Sequence, residues 1–98
     1  MDTYVILRRD GWRSAADLEA AAARSTAEGE RMPDDIRWIR SYVLSEPVNG
    51  GVGTVCIYQA SGPEAIRRHA AAADLPVDEI VQVADTVVVR PDPVPASA

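Results

Sequence analysis

The glycine-rich stretch at 46–53, EPVNGGVG, constrains the fold of this chain more than any other feature of the sequence. Its Asn-Gly and Gly-Gly steps allow the positive φ angles that tight hairpin turns require. The flanking segments, 35–45 and 54–59, are rich in β-branched and aromatic residues, so they predict two antiparallel strands joined by this turn. A β-hairpin is therefore predicted at the centre of the fold.

Helices are predicted on both sides of this hairpin. Ser14 is followed three residues later by an acid, which is close to a capping box, and it predicts a helix over 15–28 that stops at a glycine. Residues 61–64, SGPE, match a full capping box with proline in the first turn, and they predict a second helix over 63–73.

Two further β-rich segments, 3–9 and 79–90, complete the order β-α-β-β-α-β. This order is the ferredoxin-like βαββαβ pattern, so we expect an α+β fold whose four-stranded antiparallel sheet carries two helices on one face. Residues 1–90 would form this single domain, and 91–98 would form a disordered Pro-rich tail. Because a chain of 98 residues has a modest core, a homodimer is also expected.

Composition excludes several classes of protein. The formal net charge is −5 and all ten positive charges are arginines, which argues against general nucleic-acid binding. No apolar run approaches the roughly 20 residues of a membrane helix, and no basic segment precedes the first apolar stretch as in a signal peptide. The sequence thus predicts a cytoplasmic protein that does not associate with membranes, and its single cysteine excludes an internal disulfide.

Side-chain alternation divides the predicted strands into two faces. The aliphatic set is expected under the helices: Val5, Leu7, Ile39, Val43, Val55 and Ile57. The aromatic and basic set is expected on the open face: Tyr4, Ile6, Arg8, Trp38, Arg40, Tyr42, Cys56 and Tyr58. An open face this rich in aromatic groups must be covered, either by a second subunit or by a ligand held in a cleft between two sheets. The two alternatives are compatible.

The candidate ligand-binding residues come from this second set, and they are Arg8, Trp38, Arg40, Tyr42, Cys56 and Tyr58. Either arginine could bind a carboxylate or phosphate. Cys56 is either a small buried hydrophobic residue or a thiol activated by a neighbouring arginine. The sequence identifies no catalytic residue.

His69 is the one histidine, and it is the candidate metal ligand. The helix neighbours that share its face are alanine and isoleucine, so a metal site would need ligands from elsewhere in the fold or from a second subunit. The alternatives are a hydrogen-bonded histidine beside the apolar helix stripe and a general acid or base.

The runs RWIRSYV, CIY and SGPEAIRRHA, followed by LPVDEIVQV, resemble the motifs of the DUF4242 family. The resemblance covers 36–83 well and the first strand loosely. It implies a ferredoxin-like fold and dimers. At least one member is described as a nickel-binding protein, which implies nickel as a candidate cofactor. His69 matches the histidine of the family's helix, whereas Arg40 stands where the family often has histidine.

Three functions remain open at this point. The first is a small-ligand or metal-binding protein of the nickel-binding type that the resemblance implies. The second is a cofactor-free enzyme, such as an isomerase, cyclase or monooxygenase-like protein, acting on an anionic aromatic or polyketide-like substrate in a cleft on the open face. The third is an interaction module whose open face serves only for dimerisation.

Overall fold

The computed structural model describes residues 1–47 and 50–94 and has the predicted order of elements. The elements are β1 (Asp2–Trp12), α1 (Ala15–Glu30), β2 (Ile36–Glu46), β3 (Gly51–Ala60), α2 (Pro63–Ala73) and β4 (Glu79–Gln82). The strands form one antiparallel sheet in the order β2-β3-β1-β4. The predicted α+β fold is confirmed. Among the described residues, no helix has the length and apolar character needed to cross a membrane.

Helix α2 begins without the capping box that its sequence predicts. The Ser61 hydroxyl donates to Asp35 Oδ1 at 2.9 Å instead of accepting from the helix, and Glu64 pairs with Arg67. The capping prediction was wrong because a nearby carboxylate competes for the serine hydroxyl. Pro63 opens the helix, where its missing N–H costs nothing.

Strand β4 is shorter than the predicted strand over 79–90. The backbone N–H of Val83 donates to the Thr3 carbonyl at 2.8 Å, and beyond it residues 87–89 are three-quarters or more exposed. β-Branched residues stabilise a strand only where they can pair and pack with a neighbouring strand. Residues 87–89 pair with no strand among the described residues. In the predicted tail, Asp92 bonds to Arg40 across the sheet, while 95–98 lie outside the described residues, so the disorder of 91–98 stays a prediction.

The two faces of β1 and β3 are the reverse of the prediction. Three cross-strand pairs share the helix-covered face, namely Tyr4 with Tyr58, Ile6 with Cys56, and Arg8 with Thr54. The aliphatic side chains lie on the open face: Val5, Leu7, Val55 and Ile57. The physical reason is the composition of the helices. Their buried positions are mostly alanine, so large side chains from the sheet must fill the layer between sheet and helices.

A β-bulge divides the residues of β2 between the two faces. Trp38 is paired on the helix-covered face, and the next paired residue is Arg40, opposite Ile57 on the open face, so Ile39 is an extra residue. Such a residue shifts every later side chain to the other face. Trp38 is therefore on the opposite side of the sheet from Arg40 and Tyr42, and the prediction that these three share the open face was wrong.

Candidate functional site

A cleft separates α1 from the sheet. The helix presents small side chains there, so a cavity of about 430 Å³ remains beneath it, within the range that small-molecule sites occupy. From the helix the lining residues are Leu18, Ala21, Ala22 and Ser25. From the sheet and the loop after α2 they are Arg8, Trp12, Trp38, Ile39, Arg40, Ser41, Val43, Thr54, Cys56, Tyr58 and Leu75.

Five of the six predicted ligand-binding residues line this one cleft. They are Arg8, Trp38, Cys56 and Tyr58, which share the helix-covered face, and Arg40, which pairs with Ile57 of the open face and borders the cleft beside the bulge. The sixth, Tyr42, is on the open face and 46% exposed. The cleft lies on the helix side of the sheet, whereas the sequence placed these residues on the open side. The sequence correctly predicted that these residues lie close together, but it assigned all of them except Arg40 to the wrong face of the sheet.

Arg8 is the most deeply buried charged group of the cleft, with 1% of its surface exposed. Its Nη1 donates to the Pro76 carbonyl at 2.6 Å, and its Nη2 is buried without a hydrogen-bond partner in residues 1–47 and 50–94. No aspartate or glutamate is among the described residues that line the cleft. The guanidinium therefore brings a positive charge to the cleft that no carboxylate of its lining offsets.

The Tyr58 phenol lies on the floor of the same cleft. Its oxygen is 3.1 Å from Ser25 Oγ, within hydrogen-bond distance. Burial raises the pKa of Tyr58 above its ordinary value of 10.0, although the Ser25 hydrogen bond and the nearby Arg8 charge oppose the rise. The phenol is thus neutral at physiological pH and keeps a proton that it can donate.

Trp38 forms an aromatic wall of the cleft because the bulge at Ile39 holds it on the helix side. Its ring stacks on Tyr58 with centroids 6.1 Å apart and planes 10° from parallel. Its Nε1 donates to Ser41 Oγ at 2.8 Å, across the bulge. Because 40% of Trp38 is exposed, this wall extends from the buried floor to solvent.

Cys56 is buried on the cleft floor between these groups, and it is a free thiol. Its sulfur donates to Thr54 Oγ1 at 3.3 Å. The cleft thus contains a thiol and a hydroxyl beside Arg8, all on the helix-covered face. This contact ties the thiol to the strand and is consistent with the packing role that mid-strand cysteines usually have.

Arg40 differs from Arg8 because its charge is already paired. Its Nη1 donates to Asp92 Oδ2 at 2.6 Å, and the Tyr42 hydroxyl and the Asp92 carboxylate both raise the pKa of Arg40. Both ion-pair partners are about half exposed. Arg8 is therefore the better placed of the two predicted arginines to meet a ligand in the cleft.

His69 is buried in α2 and is held by a backbone group. Its Nε2 is 2.9 Å from the Ser25 carbonyl, and because a carbonyl can only accept, this nitrogen carries the proton. Nδ1 is buried without a partner, and the depression beside the ring contains a single carboxylate, Glu30. Within residues 1–47 and 50–94 no three His, Cys, Asp or Glu side chains cluster as metal ligands would. Nickel favours several imidazole, nitrogen or oxygen donors, so these residues do not fit a nickel site at His69.

Ser25, Ser41, Thr54 and Trp12 belong to the cleft and were not predicted as site residues. A signal for Ser25 was present, since it is a polar residue at the end of the inward stripe of α1. No sequence signal distinguishes Ser41 or Thr54 from ordinary strand residues, because their positions depend on the bulge and on the face reversal.

Comparison with known proteins gives a family and a fold. The family model described as "Nickel responsive protein SCO4226-like" matches residues 4–83. The crystal structure of SCO4226 from Streptomyces coelicolor A3(2) is similar with a TM-score of 0.66 at 17% identity, over 87% of this chain and 99% of that chain. SnoaB from Streptomyces nogalater, a cofactor-independent oxygenase, gives a TM-score of 0.47 at 20% identity, over 91% and 98% of the two chains. No functionally curated protein matches. At 17% identity the likeness to SCO4226 shows the fold alone.

Proposed function

The chain belongs to the nickel-responsive SCO4226-like family, and we propose that it is a small-ligand-binding protein whose ligand occupies the cleft under α1. One observation carries the proposal. The cleft combines apolar walls with a few buried polar groups that converge on one floor, which is the composition of small-molecule sites. Arg8 and Tyr58 supply the polar floor, and Trp38 supplies the wall.

Nickel is the ligand that the family name suggests, but it is not the ligand we propose for this cleft. His69 Nε2 is occupied by its hydrogen bond to the Ser25 carbonyl, and the described residues place no cluster of further metal-ligating side chains around the remaining nitrogen, Nδ1. The cleft itself offers one thiol, hydroxyls and a guanidinium, and a positive guanidinium repels a divalent cation. Organic ligands fit this lining better than a metal ion does.

The proposal is tested by NMR with a set of one-ring and two-ring aromatic compounds, charged and neutral. Binding should shift the backbone amide resonances of Trp38, Tyr58 and the facing turn of α1. The variant Ala22→Phe fills the cleft and should abolish these shifts. Ala23→Phe places the same ring on the exposed side of the same helix and serves as the matched control. No shift with any compound, or shifts that persist in Ala22→Phe, would contradict the proposal.

A homodimer through the open face is the second part of the proposal. The open face is aliphatic at its centre, and a second copy would bury that surface. Val55→Arg places a charge at this centre and should convert a dimer into a monomer in light scattering. Val87→Arg makes the same substitution in the segment after β4, where the side chain is 85% exposed, and should leave the dimer intact. A monomeric wild-type protein would refute this part.

A cofactor-free enzyme acting in the same cleft is a second candidate function. The observation that favours it is the neutral Tyr58 phenol beside the Arg8 guanidinium, because such a pair can protonate and stabilise an enolate. The test is turnover of any compound that binds. Tyr58→Phe should slow the reaction without weakening binding, and compounds that bind but are recovered unchanged would leave binding as the function.

A further inference from the structure

We infer that the cleft selects a planar aromatic monocarboxylate, with the carboxylate bound at Arg8 Nη2 and the ring against Trp38. This inference rests on the proposed ligand-binding function and names its ligand class. Three properties of the cleft support it, namely its uncompensated charge, its supply of hydrogen-bond donors and its flat aromatic wall.

The charge argument begins with Arg8. One edge of the guanidinium is engaged by the Pro76 carbonyl, which carries no net charge, and Nη2 has no partner. Burying a guanidinium without an anion is costly, since its desolvation is not offset by an ion pair. A ligand carboxylate would supply the missing acceptor. Because no acid is among the described residues of the lining, none of them competes with it.

The donor count favours a single negative charge. One Nη1 proton is engaged by Pro76 and Nη2 has no partner among the described residues, so Nη2 is the donor that Arg8 chiefly offers. Tyr58 offers its hydroxyl proton when the Ser25 hydroxyl donates in the hydrogen bond that they share. Ser41 accepts from the Trp38 indole, which leaves its own hydroxyl proton for a ligand. A phosphate dianion would need a second cation, and Arg40 is committed to Asp92. A carboxylate matches one guanidinium edge with one or two hydroxyl donors.

The shape argument concerns the walls. The rings of Trp38 and Tyr58 are nearly parallel and stack on each other. From α1, the small side chains of Ala21 and Ala22 line the same cleft. The lining therefore offers a flat ring an aromatic surface from the sheet and small side chains from the helix. Aromatic rings also gain from offset stacking on the indole.

The test is isothermal titration with 2-naphthoate and 2-naphthamide, which share shape and differ in charge. Wild-type protein should bind the acid about tenfold to a hundredfold more tightly than the amide, as expected for a charge-assisted hydrogen bond. Arg8→Met should remove this preference and keep the affinity for the amide. Arg24→Met, which removes a guanidinium that also donates to a backbone carbonyl but does not line the cleft, should keep the preference.

The outcomes separate this inference from the proposed function. If acid and amide bind wild-type protein equally, the cleft binds small molecules but the inference is overturned. If neither binds, the inference is overturned, and the proposed function fails as well when no compound of the NMR set binds either. A preference that survives in Arg8→Met, or that disappears in Arg24→Met, shows that the Arg8 guanidinium does not bind the anion and also overturns the inference. The side-chain ¹⁵N resonance of Arg8 in wild-type protein gives a readout that needs no variant, because 2-naphthoate should shift it and 2-naphthamide should not.

Discussion

Replacing Arg8 by methionine should leave the unliganded protein as stable as the wild type, or more stable, even though Arg8 is one of its most buried side chains. Methionine keeps the unbranched stem that packs between β1 and the loop after α2, and its thioether adapts to irregular space. The substitution removes the guanidinium alone. The substitution therefore tests whether the guanidinium stabilises the fold or serves ligand binding instead.

Two opposing contributions set the expected change in the free energy of unfolding of Arg8→Met. The lost hydrogen bond from Nη1 to the Pro76 carbonyl, 2.6 Å long, is charge-assisted and contributes about 1.5–3 kcal/mol. Against it stands the desolvation of a buried cation whose Nη2 has no partner, which costs several kcal/mol. The free energy of unfolding should thus change by between zero and about +2 kcal/mol. For a domain of this size, where 1 kcal/mol shifts the Tm by roughly 4–8 °C, the Tm would rise by up to roughly 8–16 °C.

Urea unfolding followed by circular dichroism measures this change, and Arg24→Met is the matched control. Arg24 also binds carbonyl oxygens, with Nε 2.8 Å from the Ala73 oxygen and Nη2 3.3 Å from the Asp74 oxygen, but it is exposed. Its removal relieves no desolvation, so we expect a loss of about 0.5–1.5 kcal/mol. A loss of more than about 2 kcal/mol in Arg8→Met would refute the reasoning, because the guanidinium would then be a structural group whose charge is offset within the fold.

Three further predictions concern ionisation and close packing. Because burial raises the pKa of Tyr58 above 10.0, its neutral form stabilises the fold fully below that pH and less as the pH rises through the higher value. The phenolate absorbance that distinguishes wild-type protein from Tyr58→Phe should therefore appear at higher pH in folded protein than in urea, and coincident titrations would contradict this. Hydrogen bonds from Arg9 lower the pKa of Glu46 below its ordinary value of 4.5. The ion pair therefore stabilises the fold fully above pH 4.5, and this stabilisation is lost as the pH falls through the lowered pKa of folded Glu46. Glu46→Gln should be less stable than wild type at neutral pH and equally stable at about pH 2, in urea unfolding at both. Finally, a Cβ at Gly53 would lie 2.6 Å from the backbone oxygen of Arg8 and 2.7 Å from Glu46 Oε1, so Gly53→Ala should cost about 1–3 kcal/mol, whereas Gly62→Ala, with nothing within 4 Å, should be tolerated.

The fold was predictable because its signals are local. The Ser14 cap forms as expected, with its Oγ accepting from the Asp17 amide at 3.2 Å. The turn signal between β2 and β3 also gave the hairpin, although Val48 and Asn49 lie outside the described residues. Gly50 adopts the positive φ of 71° that such a turn requires. Each of these features depends on a few neighbouring residues, and their order along the chain is sufficient for the topology.

The faces of the sheet were not predictable by the same means, because β1 and β3 are apolar on both sides. In segments such as TYVILR, alternation separates aromatic from aliphatic residues without saying which set is buried. The deciding information lay in the helices. Their alanine stripes leave a deep layer that only tyrosine, arginine and similar long side chains from the sheet can fill. Sequence reasoning that compares the two layers for total volume would have chosen the correct face.

The cleft exists because this volume match is incomplete beneath α1. Under α2, Ile66 and His69 close the layer against Tyr58, whereas under α1 the largest inward side chain is Leu18. A chain selected only for a solid core could close that gap with one larger helix residue, and it could replace Arg8 by an apolar side chain. This chain instead retains both the gap and an unpaired cation beside it. The gap and the buried guanidinium each lower the stability of the fold. Together they form a cavity with a fixed internal charge, which is what recognition of an organic anion requires.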